Sequence, residues 1–450
     1  MPWENKVMRT VRVRNEQIKG TLARLITAIA LEGGSVGEIR LIREGLKAIV
    51  RDITVYADDE AQMERVLAAM RANPGSTVLQ VRDEVLEVHY QGKIAVRSRY
   101  TIDSLAALRR VYTPGVAQVC RRIASEPDMA WEYTAKGHLV AIVTDGTAIL
   151  GLGDIGPLAG MPVMEGKAML MESLVGLSGM PILLDTQDPQ AIVDTVTRIA
   201  PTFAAIQLED ISAPRCFEIE QTLQERLDIP VMHDDQHGTA VVVTAALKVA
   251  AQRTGLALEQ ATIGQIGLGA AGMAIARMIM GLTGNPVLGA DLNEEALRML
   301  AAAGGRPATL EEIMAQADIV VATTGVPGLI RPEMVRSGQI ILALSNPTPE
   351  IEPEVALEAG AAFAADGKGV NNVLGFPGIL RGAVDTRATR ITHEMYLAAA
   401  TTLARLTPEG ELLPNPLDKQ VHHEVAKAVA QEAIRSGVAR NEYVPYLADD

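Results

Sequence analysis

The sequence predicts an α/β protein with a small α+β domain at its N-terminus, and three observations support this prediction. Strand-like and helical segments follow the order β-α-β-β-α-β over residues 7–90, which is a ferredoxin-like pattern. From about residue 111 to 240, short apolar strands alternate with helices, as is typical of a parallel sheet. From about residue 255 a second unit of this kind begins, and residues 386–450 are largely helical.

Each element of the N-terminal domain has its own signal. Alternating apolar residues predict a strand at VMRTVRVRN, and TLARLITAIALEGG has helical spacing that stops at Gly33-Gly34. SVGEIRLI and LKAIVRDITVYA are two strands joined by a turn around Glu44-Gly45. DEAQMERVLAAMRANPG is the second helix, and we expect STVLQVRDEVLEVHY to return as the last strand.

Charge and composition exclude several classes of protein. The formal net charge of −14 disfavours nucleic acid as a partner, because phosphate binding needs a basic surface. No apolar run has membrane-spanning length, and the start MPWENKVMRT lacks the apolar stretch of a signal peptide. We therefore expect a cytoplasmic protein with no membrane partner. Cys120 and Cys216 form no metal-binding spacing, so we expect two buried free thiols, with a disulfide as the alternative.

One of two GxGxxG matches has the context of a dinucleotide site. It consists of Gly267, Leu268, Gly269, Ala270, Ala271 and Gly272. The match follows the strand-like ATIGQI and opens the helix MAIARMIM, and Asp291 closes the next strand at the expected distance. The glycines permit a tight turn and a close approach to pyrophosphate. The Asp291 carboxylate would bond ribose hydroxyls and repel a 2′-phosphate, which favours NAD over NADP.

The other match, Gly151, Gly153 and Gly156, is interpreted as a glycine-rich loop. Because Pro157 and Pro162 follow it, we expect no helix to begin there, and a nucleotide site needs one. With the dinucleotide site placed, four segments are predicted. They are the N-terminal domain (1–90), the first α/β domain (91–240), a Rossmann-type NAD-binding domain (241–385) and a C-terminal helical segment (386–450) packed on the first α/β domain.

Two pairs of acidic residues close neighbouring apolar runs. Glu209-Asp210 follows AAIQL, and Asp234-Asp235 follows IPVMH. Adjacent carboxylates repel each other unless a cation joins them, and ligands bind at the carboxyl ends of parallel strands. Oxygen ligands of this kind suit Mg²⁺ or Mn²⁺, with solvated loop acids as the alternative.

His233 and His237 offer a competing metal site, because two histidines four residues apart can bind zinc. Their segment looks like a strand end followed by a loop, and the nearby oxygens are harder ligands. We therefore rank zinc below Mg²⁺ or Mn²⁺ and expect both histidines to have a structural or supporting role.

Two further residues are candidates for acid–base chemistry. Lys167 in MEGKAMLM has apolar neighbours, and burial would lower its pKa toward that of a usable base. A surface lysine is the alternative. Tyr112 stands in VYTPGV, where Pro114-Gly115 fixes a turn, and taken alone it is more typical of a packing residue.

Seven segments together resemble the malic enzyme family, in its shorter, bacterial NAD-dependent type. They are YTPGVA (112–117), TDGTAILGLGDIGPLAGMPVMEGKA (144–168), LED (208–210), HDDQHGTA (233–240), GLGAAG (267–272), LSNPT (344–348) and NNVLGFPG (371–378). They occur in order over most of residues 90–390. The resemblance implies oxidative decarboxylation of (S)-malate to pyruvate and CO₂, with NAD and Mg²⁺ or Mn²⁺ as cofactors.

The resemblance also implies a role for individual residues. Tyr112 would be the general acid and Lys167 the general base, both in contact with the substrate. The remaining implied residues are the metal ligands Glu209, Asp210 and Asp235, the supporting Asp234, and Asn346 and Asn372 at the substrate, with Asn346 also near the nicotinamide ribose. Ordinary loop roles are the alternative for both asparagines.

The chain departs from the family pattern at one place. Animal-type members have an arginine just before LGLGD that holds a substrate carboxylate, whereas this sequence has Thr147-Ala148 there. We expect backbone N–H groups or a side chain from a partner subunit to take over this contact.

The N-terminal domain resembles an ACT domain through EQIKGTLARLITAIALEGGSV. This implies a regulatory domain whose first loop binds a small effector, and a homo-oligomer, as a dimer or larger. The predicted effector loop consists of Gln17, Ile18, Lys19, Gly20 and Thr21. A purely dimerising module is the alternative.

Three other functions compete with a malic enzyme. The first is a malolactic or other NAD-linked 2-hydroxy-acid enzyme of the same fold, which product analysis would distinguish. The second is a non-catalytic sensor, against which the retained Tyr112, Lys167 and acidic residues argue. The third is an ACT-bearing amino acid dehydrogenase, which would not need paired carboxylates at strand ends.

Overall fold

The computed structural model describes residues 7–149 and 151–445. Its contacts divide the chain into two compact units that meet in sequence between Ala95 and Val96. The predictions made for residues 1–6 and 446–450, at the two ends of the predicted domains, lie outside the described residues.

The N-terminal unit contains a four-stranded antiparallel sheet in the order β2-β3-β1-β4. Its elements are β1 (Val7–Glu16), α1 (Thr21–Leu31), β2 (Ser35–Glu44), β3 (Ala48–Ala57), α2 (Glu60–Ala72), β4 (Ser76–Arg82) and α3 (Glu84–His89). The predicted β-α-β-β-α-β order is therefore confirmed. Alternate residues of β1 and β3, such as Val11 and Ile53, are fully buried with Leu25 of α1 and Met63 of α2 in one core.

The last predicted strand of this unit was too long. β4 ends at Arg82, and DEVLEVHY forms the cap and body of α3 instead. Asp83 explains the difference, because its side chain accepts a hydrogen bond from the Leu86 N–H at 3.0 Å and so caps the helix.

The second unit begins with short helices and then forms a parallel sheet in the order β6-β5-β7-β8. Its elements are α4 (Leu105–Val111), α5 (Val116–Ser125), α6 (Ala130–Tyr133), β5 (Leu139–Thr144), α7 (Pro157–Val175), β6 (Ser178–Leu183), α8 (Pro189–Ile199), β7 (Ala205–Leu208), α9 (Arg215–Arg226), β8 (Val231–His233) and α10 (Asp234–Thr254). The predicted parallel α/β arrangement is confirmed. Helices α8 and α9 pack their buried residues, such as Val196 and Ile219, against Ile206 of β7.

The expectation that no helix follows the first glycine-rich loop was wrong. Helix α7 begins at Pro157 and contains Pro162. Proline is favoured at the first position of a helix, because the N–H it lacks has no partner inside the helix anyway. Pro157 therefore marks a helix start.

A second parallel sheet, in the order β11-β10-β9-β12-β13-β14, follows in the chain. Its elements are β9 (Ile263–Ile266), α11 (Ala270–Thr283), β10 (Leu288–Ala290), α12 (Glu294–Ala302), β11 (Arg306–Pro307), α13 (Leu310–Gln316), β12 (Ile319–Ala322), β13 (Ile340–Ala343), α14 (Pro353–Glu358) and β14 (Phe363–Asp366). Numbered along the chain, this is the 3-2-1-4-5-6 order of a Rossmann fold, which confirms the predicted type of sheet.

Three helices complete the unit: α15 (Phe376–Asp385), α16 (His393–Leu406) and α17 (Lys419–Arg435). α17 packs against α7, α15 and α16, while α16 lies along α10. Within the described residues, no helix combines the length and the apolar character needed to cross a membrane.

The two cysteines are both free thiols, as expected, but only Cys216 is buried. Cys120 is exposed on α5, so the expectation of two buried thiols was wrong for this residue.

Candidate active site

Three carboxylates converge at the carboxyl ends of β7 and β8. Glu209 and Asp210 come directly after β7, and Asp235 lies in the first turn of α10, which starts as soon as β8 ends. One oxygen of each lies within 4.8 Å of the others. Because β7 and β8 are parallel neighbours, their carboxyl ends meet at the same edge of the sheet.

This cluster fits a hard divalent cation. The Oδ2 atom of Asp210 is buried and has no hydrogen-bond partner among the described residues, although a carboxylate oxygen in such a place needs one. Burial, together with the charge of Asp235, raises the pKa of Asp210 to about 7. Three carboxylate oxygens are the ligand type that Mg²⁺ and Mn²⁺ prefer. Within the part of the chain that the structure describes, these residues form the one group of acidic, histidine or cysteine side chains arranged to hold a metal.

Lys167 reaches the same cluster from α7. Its side chain is nearly buried, and its Nζ lies 2.5 Å from Asp234 Oδ2 and 3.0 Å from Glu209 Oε1. The ring of Phe376, at the start of α15, lies 4.6 Å from Nζ. Phe376 belongs to the NNVLGFPG segment, but no local pattern in that segment predicts a contact with Lys167.

The expectation of a lowered lysine pKa was wrong in this environment. Burial alone would lower the pKa of Lys167, but the carboxylates of Asp234 and Glu209 outweigh it and raise the pKa above its ordinary value. These carboxylates therefore hold Lys167 as an ammonium group.

Asp234 links the lysine to a second predicted residue. The Nδ2 of Asn372 donates a hydrogen bond to Asp234 Oδ2 at 3.1 Å, beside Lys167. Asn346 lies elsewhere: it is exposed, follows β13, and has its Nδ2 close to Gly367 after β14. Only one of the two predicted asparagines therefore joins the lysine cluster.

The two histidines do not share a site. His233 Nε2 lies 3.1 Å from Asp235 Oδ2, whereas His237 Nε2 lies 3.0 Å from Glu220 and its ring stacks on Tyr396. His237 belongs to α10, so its predicted place in a loop was wrong. Acidic residues in a first helical turn, here Asp234 and Asp235, favour a helix start at this point.

Glu220 of α9 is a residue that sequence inspection missed. Its buried carboxylate accepts hydrogen bonds from the His233 backbone N–H at 2.8 Å and from Gln236 Nε2 at 3.0 Å, and it also faces His237. Burial would raise the pKa of Glu220, but His237 offsets this and the pKa lies below its usual value. Glu220 therefore fixes the first turn of α10, which carries Asp234 and Asp235.

The second glycine-rich match lies between β9 and α11, as predicted. Gly267 has a φ of +86°, and a Cβ on Gly272 would lie 2.0 Å from the Gly267 carbonyl oxygen, so this turn requires glycine at both places. Gly269 precedes α11, and Ala270 and Ala271 form its first residues. Asp291 follows β10, and its Oδ2 accepts a hydrogen bond from the Leu268 N–H at 2.6 Å. The Asp291 carboxylate therefore lies at the glycine turn between β9 and α11.

Tyr112 is not part of the lysine cluster in this structure. It lies directly after α4, its side chain is 66% exposed, and no hydrogen bond to its hydroxyl occurs within the described residues. This is the largest difference between the implied site and the observed one.

An arginine from α9, Arg215, lies beside Thr147. Arg215 Nη2 donates to Thr147 Oγ1 at 2.9 Å and lies 3.2 Å from Asp145 Oδ2. Ser212 and the Gln187 carbonyl also accept from this guanidinium. Arg215 therefore links the loop that follows β5 to the loops that precede α8 and α9 through hydrogen bonds.

The predicted effector loop connects β1 to α1 in the N-terminal unit. The Gln17 N–H donates to the Lys47 carbonyl at 3.1 Å, Gly20 has a φ of +87°, and Thr21 is the first residue of α1. Ile18 and Lys19 are exposed between them.

Two family models match the second unit, one over its N-terminal part and one over its C-terminal part. The family model "Malic enzyme, N-terminal domain" matches residues 91–191 and 186–224, and "Malic enzyme, NAD binding domain" matches residues 292–436. NAD-dependent malic enzyme 1 of Bacillus subtilis (strain 168) is 55% identical over 430 residues, which is 95% of this chain and 98% of that protein. The bifunctional malic/malolactic enzyme of the same organism is 42% identical and covers 80% of this chain and 95% of its own length.

A solved structure agrees with these sequence matches. The malic enzyme from Pyrococcus horikoshii Ot3 aligns with a TM-score of 0.76 and 40% identity, over 80% of this chain and 92% of that one. The chain combines a Rossmann sheet with an α/β sheet whose strand ends carry carboxylates in contact with a lysine. This combination defines a dinucleotide-linked oxidoreductase. The chain belongs to the malic enzyme family.

Proposed function

We propose that this chain oxidatively decarboxylates (S)-malate to pyruvate and CO₂ and reduces NAD⁺. The observation that carries the proposal is the contact of Lys167 with Glu209 and Asp234 at the edge where Glu209, Asp210 and Asp235 converge. A base beside a carboxylate cluster suits a 2-hydroxy acid, whose hydroxyl must lose a proton as its carbon loses hydride.

Lys167 would accept the proton of the C2 hydroxyl. To do so it must be neutral, so its own proton, which the carboxylates of Asp234 and Glu209 stabilise, would first pass to solvent water. A divalent cation on Glu209, Asp210 and Asp235 would polarise the C2 oxygen as a Lewis acid. Because Glu209 would then share its charge with the cation, its hold on the Lys167 ammonium would weaken.

Asp234 and Asn372 would position Lys167. Asp234 Oδ2 accepts from both Lys167 and Asn372, so the lysine has one preferred direction. The Phe376 ring lies 4.6 Å from the Lys167 Nζ and adds a cation–π contact to the ammonium group. Tyr112 would donate the proton to C3 once CO₂ has left, since this step needs an acid within hydrogen-bond reach.

Bound NAD⁺ would accept the hydride from C2. The turn of Gly267, Gly269 and Gly272 and the N-terminus of α11 would hold its pyrophosphate. We infer NAD over NADP from Asp291, whose carboxylate at this turn would repel a 2′-phosphate. Asn346, after β13, would lie near the nicotinamide ribose.

The remaining assignments are also part of this proposal. They are inferred from the sequence. They comprise the domain limits of 1–90, 91–240, 241–385 and 386–450, the ACT-type regulatory role of the N-terminal unit, its effector loop at 17–21, a homo-oligomeric state and a cytoplasmic location. The antiparallel β2-β3-β1-β4 sheet with two helices on one face is compatible with an ACT-type domain.

The test is a product assay with the purified full chain, (S)-malate, Mn²⁺ and either NAD⁺ or NADP⁺. We expect equal amounts of NADH and pyruvate, and a kcat/KM for NAD⁺ at least about tenfold above that for NADP⁺. No turnover with either cofactor would contradict the proposal. A panel of amino acids and central metabolites in the same assay tests the regulatory role.

A malolactic reaction is the second candidate, and the 42% identity to a bifunctional malic/malolactic enzyme favours keeping it. The same assay separates the two functions. Lactate formed without net NADH would support the malolactic reaction, whereas pyruvate with NADH supports the oxidative one.

A further inference from the structure

One buried carboxylate of the second unit takes no part in the steps proposed above. Glu350 lies in the connection between β13 and α14, and its side chain is fully buried. Within the part of the chain that the structure describes, no lysine, arginine or histidine forms an ion pair with it. A buried carboxylate without a cation is costly unless hydrogen bonds stabilise it. The donors around Glu350 therefore show what this residue holds in place.

The donors belong to two neighbouring loops. Residues 323–331 follow β12 and are here called the β12 loop, and residues 344–352 follow β13 and are here called the β13 loop. Glu350 Oε1 accepts from the Thr324 N–H at 2.6 Å, from Thr324 Oγ1 at 2.8 Å and from Ser345 Oγ at 2.5 Å. Oε2 accepts from the Ser345 N–H at 3.3 Å. The carboxylate of Glu350 thus joins the start of its own loop to the start of the β12 loop.

The carboxylate also sets the direction of both hydroxyl groups. A carboxylate can only accept, so the single O–H of Thr324 and that of Ser345 must both donate to Glu350. Their lone pairs then remain for backbone donors, and Ser345 Oγ accepts from the Gly325 N–H at 2.7 Å while Thr324 Oγ1 accepts from the Val326 N–H at 3.1 Å. Glu350 therefore fixes the backbone of residues 324–326 through two oriented hydroxyls.

The β12 loop begins against the glycine turn of the dinucleotide site. A Cβ on Gly267 would lie 2.7 Å from the Thr323 carbonyl oxygen, and Thr323 Oγ1 donates to the Gly267 carbonyl at 3.4 Å. Gln265 Nε2 donates to both Thr323 Oγ1, at 2.9 Å, and the Gly267 carbonyl, at 3.0 Å. A change in the position of the β12 loop would therefore be felt where the pyrophosphate is expected.

The two loops lie on one particular side of that turn. In the sheet order β11-β10-β9-β12-β13-β14, strands β10 and β12 lie on opposite sides of β9. Each half of such a sheet receives one nucleotide of the cofactor, at the carboxyl ends of its strands. Asp291 after β10 marks the adenosine side. The β12 and β13 loops therefore belong to the nicotinamide side.

We propose that Glu350 is a positioning residue for the nicotinamide half of the cofactor. It does not touch the cofactor, because it is fully buried. It holds the β12 and β13 loops in the arrangement that receives the nicotinamide riboside, so little ordering remains when the cofactor binds. The inference rests on the proposed function for the identity of the cofactor, and its test separates the two.

The test compares two ligands on the purified Glu350→Ala chain by isothermal titration calorimetry. NADH carries both halves of the cofactor, whereas ADP-ribose lacks the nicotinamide. Because the variant leaves the donors of Thr324 and Ser345 without their acceptor, we expect NADH to bind about tenfold more weakly. ADP-ribose should bind as it does to the wild-type chain. Unchanged NADH affinity overturns the proposal, and so does an equal loss for both ligands, which would assign Glu350 to the folding of the whole sheet.

Glu350→Gln is the conservative variant and provides the answer if Glu350→Ala does not fold. Its amide oxygen can take the three hydrogen bonds of Oε1, and only the acceptor for the Ser345 N–H is lost. We expect NADH to bind about threefold more weakly, with ADP-ribose unchanged, because one weak hydrogen bond is removed. A loss that is equal for the two ligands, or NADH affinity equal to that of the wild-type chain, contradicts the proposal.

Two controls complete the experiment. Glu354→Ala removes an exposed carboxylate from α14, close to Glu350 in the chain, and should bind both ligands like the wild-type chain. Mn²⁺ affinity, measured by electron paramagnetic resonance, should be the same in all of these chains, since the metal cluster lies on the other sheet. A wild-type chain that binds neither NADH nor NADPH contradicts the proposed function, whereas normal NADH binding in both Glu350 variants contradicts this inference alone.

Discussion

Lys167 and Tyr112 are the two residues that would move protons in this enzyme, and their surroundings differ in almost every respect. Lys167 is nearly buried, contacts two carboxylates and an aromatic ring, and is held by a helix packed on a parallel sheet. Tyr112 follows a helix with one buried residue, is exposed, and has no hydrogen bond to its hydroxyl within the described residues. The surroundings of Lys167 are thus formed within a single chain, whereas Tyr112 lies at the surface of that chain.

The difference follows from how each residue is held. The carboxyl ends of parallel strands bring Glu209 and Asp235 together wherever the sheet forms, because register and strand direction leave no other arrangement. Nothing comparable holds residues 96–114, which contain no strand and one buried residue, Ala107. The position of Lys167 is therefore fixed by the fold of this chain, whereas Tyr112 lies on an exposed segment.

The largest expected effect comes from removing the two groups. Lys167→Ala should lower kcat for malate oxidation by about 10³-fold and Tyr112→Phe by about 10²-fold, in line with the usual contribution of an acid or base. Steady-state NADH formation measures both. The exposed Lys419→Ala, at the start of α17, is the control and should keep wild-type activity. Wild-type turnover by either site variant would remove that residue from the mechanism.

Lys167→Ala and Tyr112→Phe should also differ in their effect on the free energy of unfolding. Lys167→Ala leaves Asp234 and Glu209 buried without their cation, and breaking a buried pair costs about 3–5 kcal/mol. Tyr112→Phe removes an exposed hydroxyl, and such changes stay within about 0.5 kcal/mol. Differential scanning fluorimetry should show a melting temperature lower by several degrees for Lys167→Ala and unchanged for Tyr112→Phe.

The double variant Lys167→Ala/Asp234→Asn sharpens this result. It removes one of the unpaired charges, so it should recover part of the lost melting temperature. Equal melting temperatures for Lys167→Ala and the wild-type chain would mean that the lysine cluster contributes little to folding, and the contrast between Lys167 and Tyr112 would then lose its energetic basis.

The sequence predicted the part of the site that strand ends determine. Glu209, Asp210, Asp235 and the glycine turn lie where a parallel sheet must place them, since each follows an apolar run at a fixed position. Asp291 is found after its strand for the same reason. Local pattern and topology coincide at these residues.

Other features depend on long-range packing and were missed or wrong. The pKa of Lys167 depends on carboxylates of residues 209 and 234, which the local sequence around the lysine does not contain. Glu220 sits on an ordinary amphipathic helix, and nothing in its neighbours marks it as buried. Pro157 and Asp83 are different cases, because both are helix-start signals that the sequence contains. The predictions treated Pro157 as a helix breaker and Asp83 as part of a strand.

The smallest expected effect concerns Glu220, which fixes the first turn of α10. Glu220→Gln keeps the size of the side chain but puts an amide that donates hydrogen bonds against donors from His233 and Gln236. The first turn of α10 should then be less well fixed, and Asp235 with it. We expect Mn²⁺ to bind about tenfold more weakly, in the range known for residues that orient metal ligands, with a smaller change of kcat at saturating Mn²⁺.

Electron paramagnetic resonance of free Mn²⁺ measures this affinity directly, and Glu225→Gln, an exposed residue on the same helix, is the matched control. A drop in kcat at saturating Mn²⁺ with unchanged affinity would mean that Glu220 acts on the lysine side of the cluster instead.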